Sequence, residues 1–259
     1  MATPREINRH MKSVGNIGKI TKAMKMVAAA RLRRAQEKAA ASRPYAIKIK
    51  EVLSNVVSDP SVLAGLDAKK HPLLQKREVQ KVGYLVLCSD KGLAGAYSSN
   101  ALKMAVAEIS ECEDEVVVIT CGRKARDFFT RRGFNVIQSH IGFSDRPTYE
   151  NAVDIAQDAI KTFASEGFDK LNIVYTVFKT ALSQIPTSEV ILPVEPPVKE
   201  EGKAQASFMF EPGEDDTLTV LAPKYLETVV YAALVQSAAS ELGSRMTAMS
   251  SATDNAAKL

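Results

Sequence analysis

A glycine-rich turn is the stretch of this sequence that comes nearest to carrying chemistry. It reads SDKGLAGAYSSN and follows a short apolar segment typical of a buried strand. Doubly wound α/β folds bind phosphate at such turns, and Lys91 with the amides of Gly92 and Gly95 could hold an anion. However, the spacing matches neither GxGxxG nor GxxxxGK(S/T), and no acidic residue with a clear ribose-binding context follows. We therefore predict a structural turn at Gly92 and Gly95, with nucleotide binding as the alternative.

Other reactive side chains lack the context that catalysis needs. Ser139 and His140 are adjacent, and so are Ser144 and Asp145, but no nucleophile elbow surrounds either pair. The three histidines are scattered without the spacing of metal ligands. The sequence therefore predicts no catalytic residue, no cofactor and no metal site.

The composition is typical of a soluble globular protein, with 46% hydrophobic and 25% charged residues. The three cysteines form no CxxC pair, and they are typical of small buried residues in a reducing compartment. The first ten residues lack the apolar middle of a signal peptide. No run of about 18 apolar residues occurs, so we predict no membrane span.

The middle of the chain, residues 79–211, alternates between strand and helix patterns. This alternation predicts a mostly parallel sheet with helices on both faces, that is, a Rossmann-like α/β domain. Strands are predicted within VGYLVLCS, EVVVITCG, NVIQSHIG and KLNIVYTVF, with more extended chain through EVILPVEP, and helices are predicted within SSNALKMAVAEIS, RKARDFFTRRG and TYENAVDIAQDAIKTFASEG. Residues 59–78, rich in Pro, Lys and Glu, are predicted to be a linker.

Residues 1–58 are predicted to form one long helix. Thr3, Pro4 and Glu6 fit a capping box, with Thr3 as the N-cap and Pro4 at the first helical position. Helical periodicity then continues to Val57. A helix of about 55 residues is about 80 Å long, which is more than the core of a small domain can bury. We therefore expect it to pair with another long helix.

The apolar residues at the start of this helix form two slightly shifted stripes, and a run of apolar or small residues spaced by three and four follows. The first stripe comprises Ile7, Met11 and Val14, the second comprises Ile17, Ile20, Met24 and Val27, and the run comprises Leu32, Ala35, Ala39, Ser42, Ala46, Ile49, Leu53 and Val56. Met24 and Met26 cannot both face one narrow contact, so we expect one of them to be exposed. Pro44 falls inside the pattern, where it predicts a bend rather than an end.

Residues 212–259 are predicted to form the partner helix. Small or apolar residues recur there at alternating intervals of four and three, at Leu221, Tyr225, Thr228, Ala232, Val235, Ala239, Leu242, Met246, Met249, Thr253 and Ala256. A sustained repeat of 3.5 residues predicts a left-handed coiled coil. We expect the two terminal helices to pair antiparallel, with the α/β domain inserted between them. The alternative is that each helix packs separately on that domain.

The charge of the chain is unevenly distributed. Residues 1–58 contain 13 Lys or Arg and 3 acidic residues, so this segment carries +10 while the whole chain carries +4. A basic arm on an acidic body predicts an anionic partner for the arm. Nucleic acid, anionic lipid and an acidic protein surface all fit this requirement. The other interpretation is a solvated charged helix.

Four motifs, in this order and spacing, resemble the gamma subunit of F-type ATP synthase. They are ITKAMKMVAAARLRRAQ, SDKGLAGAYSSN, GRKARDFF and RMTAMSSATDNA, and the resemblance covers essentially the whole chain. It implies a coiled-coil shaft that turns inside a hexamer of alpha and beta subunits, with a foot that binds epsilon and the ring of c subunits. It also implies a non-catalytic rotor without a cofactor, peripheral to the cytoplasmic face of a bacterial plasma membrane.

The resemblance further implies which residues contact partners. Those matching the family positions that face the beta lever loop are Lys22, Met24, Lys25, Arg245, Met246 and Asp254. Those expected to face the ring and epsilon are Arg31, Arg33, Arg34, Phe210 and Glu211. Gly92 and Gly95 would form a structural turn without a nucleotide.

The sequence departs from the family pattern at two places. Ala94 stands where the family usually has cysteine, which should affect packing only. The family's last helix continues for roughly two dozen residues beyond the position of Leu259, so we expect the tip of the shaft to be short or missing. The region between Glu195 and Phe208 lacks a cysteine-bearing insert, so thiol control of the chloroplast type is not expected.

Two other functions remain as alternatives. One is a nucleotide-binding α/β enzyme with a helical dimerisation arm, which nucleotide titration would support. The other is a basic coiled-coil protein that binds nucleic acid, which steep salt-dependent DNA binding would support. Against the second, the cations of the arm alternate with a continuous apolar stripe.

Overall fold

The computed structural model describes residues 3–57, 70–194 and 213–258. The first helix, α1, spans Pro4–Val57. At its start, the Glu6 carboxylate accepts the backbone N–H of Thr3 at 2.8 Å, and Thr3 Oγ1 accepts the backbone N–H of Glu6 at 3.4 Å. These reciprocal bonds satisfy backbone donors that the start of a helix otherwise leaves unpaired. The predicted capping box is therefore confirmed.

Strands and helices alternate in the middle of the chain, as predicted. In order, the elements are β1 (Lys81–Leu87), α2 (Tyr97–Glu111), β2 (Glu115–Cys121), α3 (Arg123–Arg131), β3 (Val136–His140), α4 (Tyr149–Ala164), β4 (Lys170–Phe178) and β5 (Gln184–Leu192). A second long helix, α5, follows over Glu214–Lys258, and a short 3-10 helix over Pro72–Leu74 precedes β1.

The five strands form one sheet in the order β3-β2-β1-β4-β5. Strands β1 to β4 run parallel to one another, and β5 adds an antiparallel edge beside β4. Helices cover both faces of such a sheet, which explains why β1, β2 and β4 are nearly continuous apolar runs. The predicted fold class, a Rossmann-like α/β domain between two long terminal helices, is confirmed.

Each face of the sheet has its own core. On one face, α2 and α3 contribute side chains that include Leu102, Ala105, Ile109, Ala125 and Phe129. On the other face, α4 and α5 pack together over the sheet, with Phe163, Phe168, Leu226 and Val230 among the buried residues. Leu53 of α1 reaches the same second core. The long helix α5 is therefore part of the α/β domain as well as part of the helix pair.

Helices α1 and α5 pack antiparallel along much of their described length. Leu32 and Ala35 of α1 form a small core with Ala239 and Leu242 of α5. Nearer the start of α1, the hydroxyls of Thr21 and Thr253 lie 2.7 Å apart. Because residues early in α1 meet residues late in α5, the predicted antiparallel coiled coil is confirmed.

The face of α1 that contacts α5 differs from the predicted stripes. The buried or half-buried positions of α1 include Val14, Gly18, Thr21, Met24, Ala28, Leu32, Ala35, Ala39, Ser42, Ala46, Ile49 and Leu53. Ile17, Ile20 and Val27 are instead 49%, 59% and 52% exposed, so their assignment to the contact face was wrong. The helices approach closely through small residues, which displaces the larger side chains outward. Met26 is exposed and Met24 half-buried, so the expected difference between these two methionines is confirmed.

Helix α5 buries more than the predicted heptad positions. Those positions are buried or half-buried except for Ala232, which is exposed. A second face packs on the sheet through Leu218, Ala222, Leu226, Val230, Ala233 and Leu234, and the heptad pattern did not reveal it. Two buried faces explain why Asp216–Lys258 is, within the described residues, long and apolar enough to cross a membrane by length and composition. Half of its most apolar window is buried inside the molecule.

Part of the predicted linker 59–78 packs against the α/β domain. His71 and Leu73 are both buried, and the backbone N–H of Val194 donates to the carbonyl of Leu73 at 2.7 Å. Residues 58–69 and 195–212 lie outside the described part of the chain. The domain boundaries given by the sequence therefore stay predictions.

Candidate functional site

The slender segment of the helix pair, residues 14–28 of α1 with residues 246–256 of α5, is built mainly from small side chains. A Cβ placed on Gly18 would lie 3.5 Å from the Cβ of Ala256, which is ordinary van der Waals contact. The Thr21 and Thr253 hydroxyls pair beside it, and Lys25 Nζ donates to the Ser250 hydroxyl at 2.9 Å. Because small residues line the contact, the two helices approach closely and form a thin rod.

The outer surface of the slender segment is apolar and cationic. Ile17, Ile20, Met26 and Val27 are each about half exposed or more, although isoleucine and valine are among the residues most often buried. Lys22 is exposed between them. Apolar side chains that recur along one exposed helix surface indicate a surface that a partner covers.

The predicted contact residues of α1 differ in their exposure and in the bonds that they form within the chain. Lys22 and Arg34 are exposed, Met24 is half-buried, and Lys25 is exposed but bonded to α5. Arg33 forms an exposed ion pair with Glu37 at 3.0 Å.

Arg31 is bonded to Asp145 of the loop between β3 and α4. Arg34 lines a cleft of about 260 Å³ together with Arg31, Lys38 and Arg146.

The predicted contact residues of α5 are also unequal. Asp254 is exposed, and Met246 is half-buried against the small core that contains Leu32. Arg245 is buried, and its Nη2 donates to the carbonyl of Gly92 at 3.3 Å. Phe210 and Glu211 lie outside the described residues, so their role as foot contacts stays a prediction. The partner contacts of the other residues are likewise still predictions.

The glycine turn docks on α5. Gly95 has a φ of +53°, and a Cβ there would lie 3.0 Å from the Ser244 hydroxyl, so glycine suits both the backbone and the close approach. The Ser244 hydroxyl donates to the carbonyl of Ala94 at 2.7 Å. Together with the bond from Arg245 to Gly92, this contact fixes the turn to the last helix.

The Asp90 carboxylate connects its own loop, after β1, to the loops that follow β2 and β3 at the carboxyl edge of the sheet. Its carboxylate accepts backbone N–H groups from Arg123 at 3.1 Å, Gly142 at 2.9 Å and Ser144 at 3.0 Å. Burial opposes ionisation of Asp90, but these bonds outweigh it and hold the pKa of the carboxyl below its usual value. The chain's own carboxylate thus occupies the start of α3, a position that attracts phosphate in doubly wound folds.

A cluster of charges joins this edge to both long helices. We define the junction cluster as Arg31, Lys91, Asp145, Glu241 and Arg245. Asp145 accepts from Arg31 of α1 and lies 3.5 Å from Lys91 Nζ of the turn. In α5, Arg245 Nη2 lies 2.7 Å from Glu241 Oε1, and both side chains are buried.

The Glu241 carboxylate is stabilised mainly by the positive charge of Arg245. Although Arg245 is close, neither oxygen of Glu241 has a hydrogen bond of good geometry within the described residues. Burial raises the pKa of the Glu241 carboxyl, and the neighbouring charge of Arg245 opposes that shift. A buried carboxylate is costly unless it is paired, and Arg245 is the charge that offsets this cost.

Sequence reasoning missed the carboxylates of this junction. Asp145 had been considered only as part of a catalytic pair with Ser144, and Glu241 and Asp90 had not been singled out. A usable signal was present, because Glu241 and Arg245 are spaced i,i+4 within an otherwise apolar stretch of α5. Asp90 directly follows the buried segment of β1, where loop-organising acids are expected.

The described residues contain no group of three or more His, Cys, Asp and Glu side chains placed to hold a metal ion. Cys88, Cys112 and Cys121 are free, and Cys88 and Cys121 are buried. Burial raises the pKa of the Cys88 thiol to about 11, which disfavours the reactive thiolate. Cys88 is therefore a buried thiol without the features of a reactive cysteine.

The geometry defines a class of protein, a thin antiparallel helix pair carrying a doubly wound domain on one of its segments. The chain belongs to the ATP synthase family, whose model matches residues 3–259. It is 46% identical over 255 residues to the ATP synthase gamma chain of Brevibacillus brevis, covering 97% of this chain and 86% of that one. The gamma chain of Desulfitobacterium hafniense is 43% identical, covering 99% of this chain and 88% of the relative.

Solved structures show the same fold. The central stalk and c-ring structure of the Tetrahymena thermophila mitochondrial ATP synthase contains a chain with a TM-score of 0.66 at 23% identity, covering 90% of this chain and 99% of that one. A chain from the Euglena gracilis mitochondrial ATP synthase rotor has a TM-score of 0.59 at 16% identity, covering 97% and 91%. The resemblance read from the four sequence motifs is confirmed.

Proposed function

We propose that this chain is the central rotor shaft of an F-type ATP synthase. In this role it couples ion flow through a ring of c subunits to ATP synthesis or hydrolysis on the beta subunits. It carries no catalytic residue itself. The observation that carries the proposal is the slender segment, which is thin and exposes Ile17, Ile20 and Val27 among cations. Membership in the gamma-chain family supports the same role.

The proposed mechanism is a linkage between shaft angle and nucleotide affinity. A shaft changes the affinity of a beta subunit only if it contacts the open and closed forms differently. An asymmetric rod that turns inside three alpha and three beta subunits presents a different surface to each beta subunit in turn. Lys22, Met24, Lys25 and Asp254 are our candidates for the surface that the beta subunits sense. Short side chains at the helix contact keep the rod narrow enough to turn.

The proposed partners divide between the two ends of the molecule. The slender segment would lie inside the hexamer, while the end of the helix pair near Tyr45 and Val220 would face epsilon and the c-ring. An apolar groove between α1 and α5, of about 560 Å³, lies at that end. A c-ring accompanies the Tetrahymena stalk in its structure, which supports this assignment. The chain would thereby be peripheral to the cytoplasmic face of the plasma membrane, without binding nucleic acid.

The same geometry disfavours a nucleotide-binding enzyme. The crevice at the carboxyl ends of β1 and β4 is the topological switch point of the sheet, where such folds bind nucleotides. Ser244 and Arg245 of α5 cover the glycine turn there, and Asp90 occupies the start of α3. A phosphate bound there would have to displace the Asp90 carboxylate, because the two negative charges repel each other.

Reconstitution tests the proposal. The chain is mixed with purified alpha and beta subunits, the complex is isolated by size, and ATP hydrolysis is measured. We expect a stable complex whose ATPase depends on this chain. An Ile20→Asp variant should lower that activity, whereas Ile137→Asp, on an edge strand of the sheet, should not. Absence of a complex, or ATPase indifferent to the chain, would contradict the proposal.

A further inference from the structure

The two long helices are attached to the α/β domain very differently. Helix α5 is part of the core beneath the sheet, and its polar residues also bond to the carboxyl edge. Ser240 donates to the carbonyl of Thr176 at 3.0 Å, and Thr247 donates to the carbonyl of Ala181 at 3.0 Å. Ser244 and Arg245 add the bonds to the glycine turn. The domain and α5 therefore move as one body.

Helix α1 is held at this level mainly by its contact with α5. Its side-chain bonds to the domain here go to the loop between β3 and α4, from Arg31 to Asp145 and from Lys38 Nζ to the carbonyl of Pro147 at 3.4 Å. Asp145 is 10% exposed and Arg31 is 30% exposed, so the first of these bonds is partly shielded from water. The bond of Lys38 is long and the weaker of the two.

The contact between α1 and α5 beyond the junction offers little resistance to sliding. It consists mainly of small side chains, with Met24 and Met249 between them, and of a few hydroxyl contacts such as that between Thr21 and Thr253. Smooth faces of glycine, alanine and threonine interlock less than the large side chains of a knobs-into-holes seam. Leu53 anchors the far end of α1 in the domain core. At the level of the slender segment, a turning force on the domain passes directly into α5 and would let α1 lag behind, unless α1 has a second link to the domain there.

We propose that Asp145 is this link, a positioning residue that ties α1 to the α/β domain through Arg31 so that both helices turn together. The loop that carries Asp145 is itself fixed, because Asp90 accepts the backbone N–H groups of Gly142 and Ser144. Lys91 of the turn lies beside the same carboxylate oxygen and compensates part of its charge. The tie thus runs from a rigid loop to α1. This inference rests on the proposed rotor function.

The role differs from that expected for Arg31 by resemblance. Arg31 was placed among residues that face the ring and epsilon, but its guanidinium is bonded to Asp145 within the same chain. Arg33 and Arg34 extend into solvent from the same turn of α1 and stay candidates for partner contacts. The neighbouring pair of Arg33 and Glu37 is exposed at both ends, which makes it a matched control for an ion pair without the tie.

The test measures torsional stiffness in the assembled complex. The hexamer is fixed to a surface, a bead is attached to the exposed hairpin tip at Leu182, and the angular spread of the bead is recorded while the enzyme pauses. For thermal motion, the spread increases as the shaft becomes softer. We expect Asp145→Asn to widen the distribution with ATPase retained, and Glu37→Gln to leave it at the wild-type width. Arg31→Met, which removes the tie from the other side, should widen it as well.

A covalent rescue separates loss of the tie from a general structural defect. Gly18→Cys with Ala256→Cys should form a disulfide between α1 and α5, because their Cβ atoms would be 3.5 Å apart, within the range of disulfides. The oxidised cross-link should narrow the distribution of the Asp145→Asn chain, and reduction should widen it again. Wild-type width in both Asp145→Asn and Arg31→Met, or failure of the cross-link to restore it, would overturn the inference. A wild-type chain that never rotates would instead overturn the proposed function, and the inference with it.

Discussion

The helix pair has two segments that differ in how they are built. The domain-packed segment, residues 42–53 of α1 with residues 218–234 of α5, buries Leu53, Leu218 and Leu226 completely. The slender segment has Gly18, Thr21 and Ala28 at its contact and carries its isoleucines on the outside. One segment is the core of a domain, whereas the other is a rod whose large apolar side chains are left for a partner.

This difference shows that a heptad repeat can serve two purposes along one helix pair. Where α5 also packs on a sheet, burial on two sides provides stability, since apolar surface removed from water is the main favourable term in folding. In the slender segment, small residues at the contact let the two helix axes lie close together, at the expense of buried apolar surface. We therefore expect truncated side chains to destabilise the domain-packed segment most, and enlarged side chains to destabilise the slender segment most.

The largest effect is expected in the domain-packed segment. Leu226→Ala should lower the free energy of unfolding by about 2–5 kcal/mol, because it removes a fully buried side chain and leaves a cavity. Val220→Ala, at a position that is 66% exposed on the same helix, should change it by less than about 0.5 kcal/mol. Urea denaturation followed by circular dichroism measures both. Equal losses would mean that this segment is not a core.

In the slender segment, enlargement should harm more than truncation. Gly18→Leu should cost about 1–3 kcal/mol, because the larger side chain must push α5 away. Gly15→Leu is the matched control, since a Cβ there meets nothing within 4 Å. The same urea experiment compares the two variants. Equal free energies of unfolding for Gly18→Leu and Gly15→Leu would contradict the close approach of the two helices at Gly18.

At the carboxyl edge of the sheet, stability should depend on the Asp90 charge. Asp90→Asn should cost about 1–3 kcal/mol at neutral pH, because a buried acceptor of three N–H groups is replaced by a group that also donates. The pKa of Asp90 is lowered on folding, so its contribution is present above the carboxyl's unfolded pKa and is lost as the pH falls through the folded pKa.

The pH dependence of this effect supplies its check. The difference between wild type and Asp90→Asn should shrink below about pH 4, near the ordinary pKa of an aspartate. Unfolding free energies measured from pH 7 to pH 3 test this. A difference that stayed constant over that range would show that the Asp90 charge does not hold the loops together.

The smallest effect is expected from the paired hydroxyls of the slender segment. Thr21→Val should cost about 0.5–1.5 kcal/mol, the usual net value of one hydrogen bond, since Val keeps the shape of Thr. Thr253→Val should cost about the same, and the double variant should cost less than the sum. Strict additivity in this double-mutant cycle would mean that the two hydroxyls do not interact.

Much of the fold could be predicted from the sequence, because its signals are local. The capping box at Thr3, the alternation of strands and helices, and the repeat from Leu221 all depend on near neighbours. The contact face of α1 could not be predicted in the same way. Apolar periodicity selected Ile17 and Ile20, but the pairing of two slender helices, a tertiary effect, selected Gly18 and Thr21 instead.

The junction could be predicted only in part. The glycine turn was correctly expected to be near a helix start, and its position next to α5 required the fold. Asp145 and Arg31 are separated by 114 positions in the sequence, and no periodicity relates them. Such a long-range ion pair depends on where loops meet, which the pattern of one segment does not encode.

One measurement tests the central claim most directly. The hexamer of alpha and beta subunits is fixed to a surface, a visible probe is attached to the α/β domain of this chain, and ATP is added. If this chain is the rotor shaft, the probe turns in one direction while ATP is hydrolysed and stops when ATP is removed. A probe that stays still during continued hydrolysis would contradict the account.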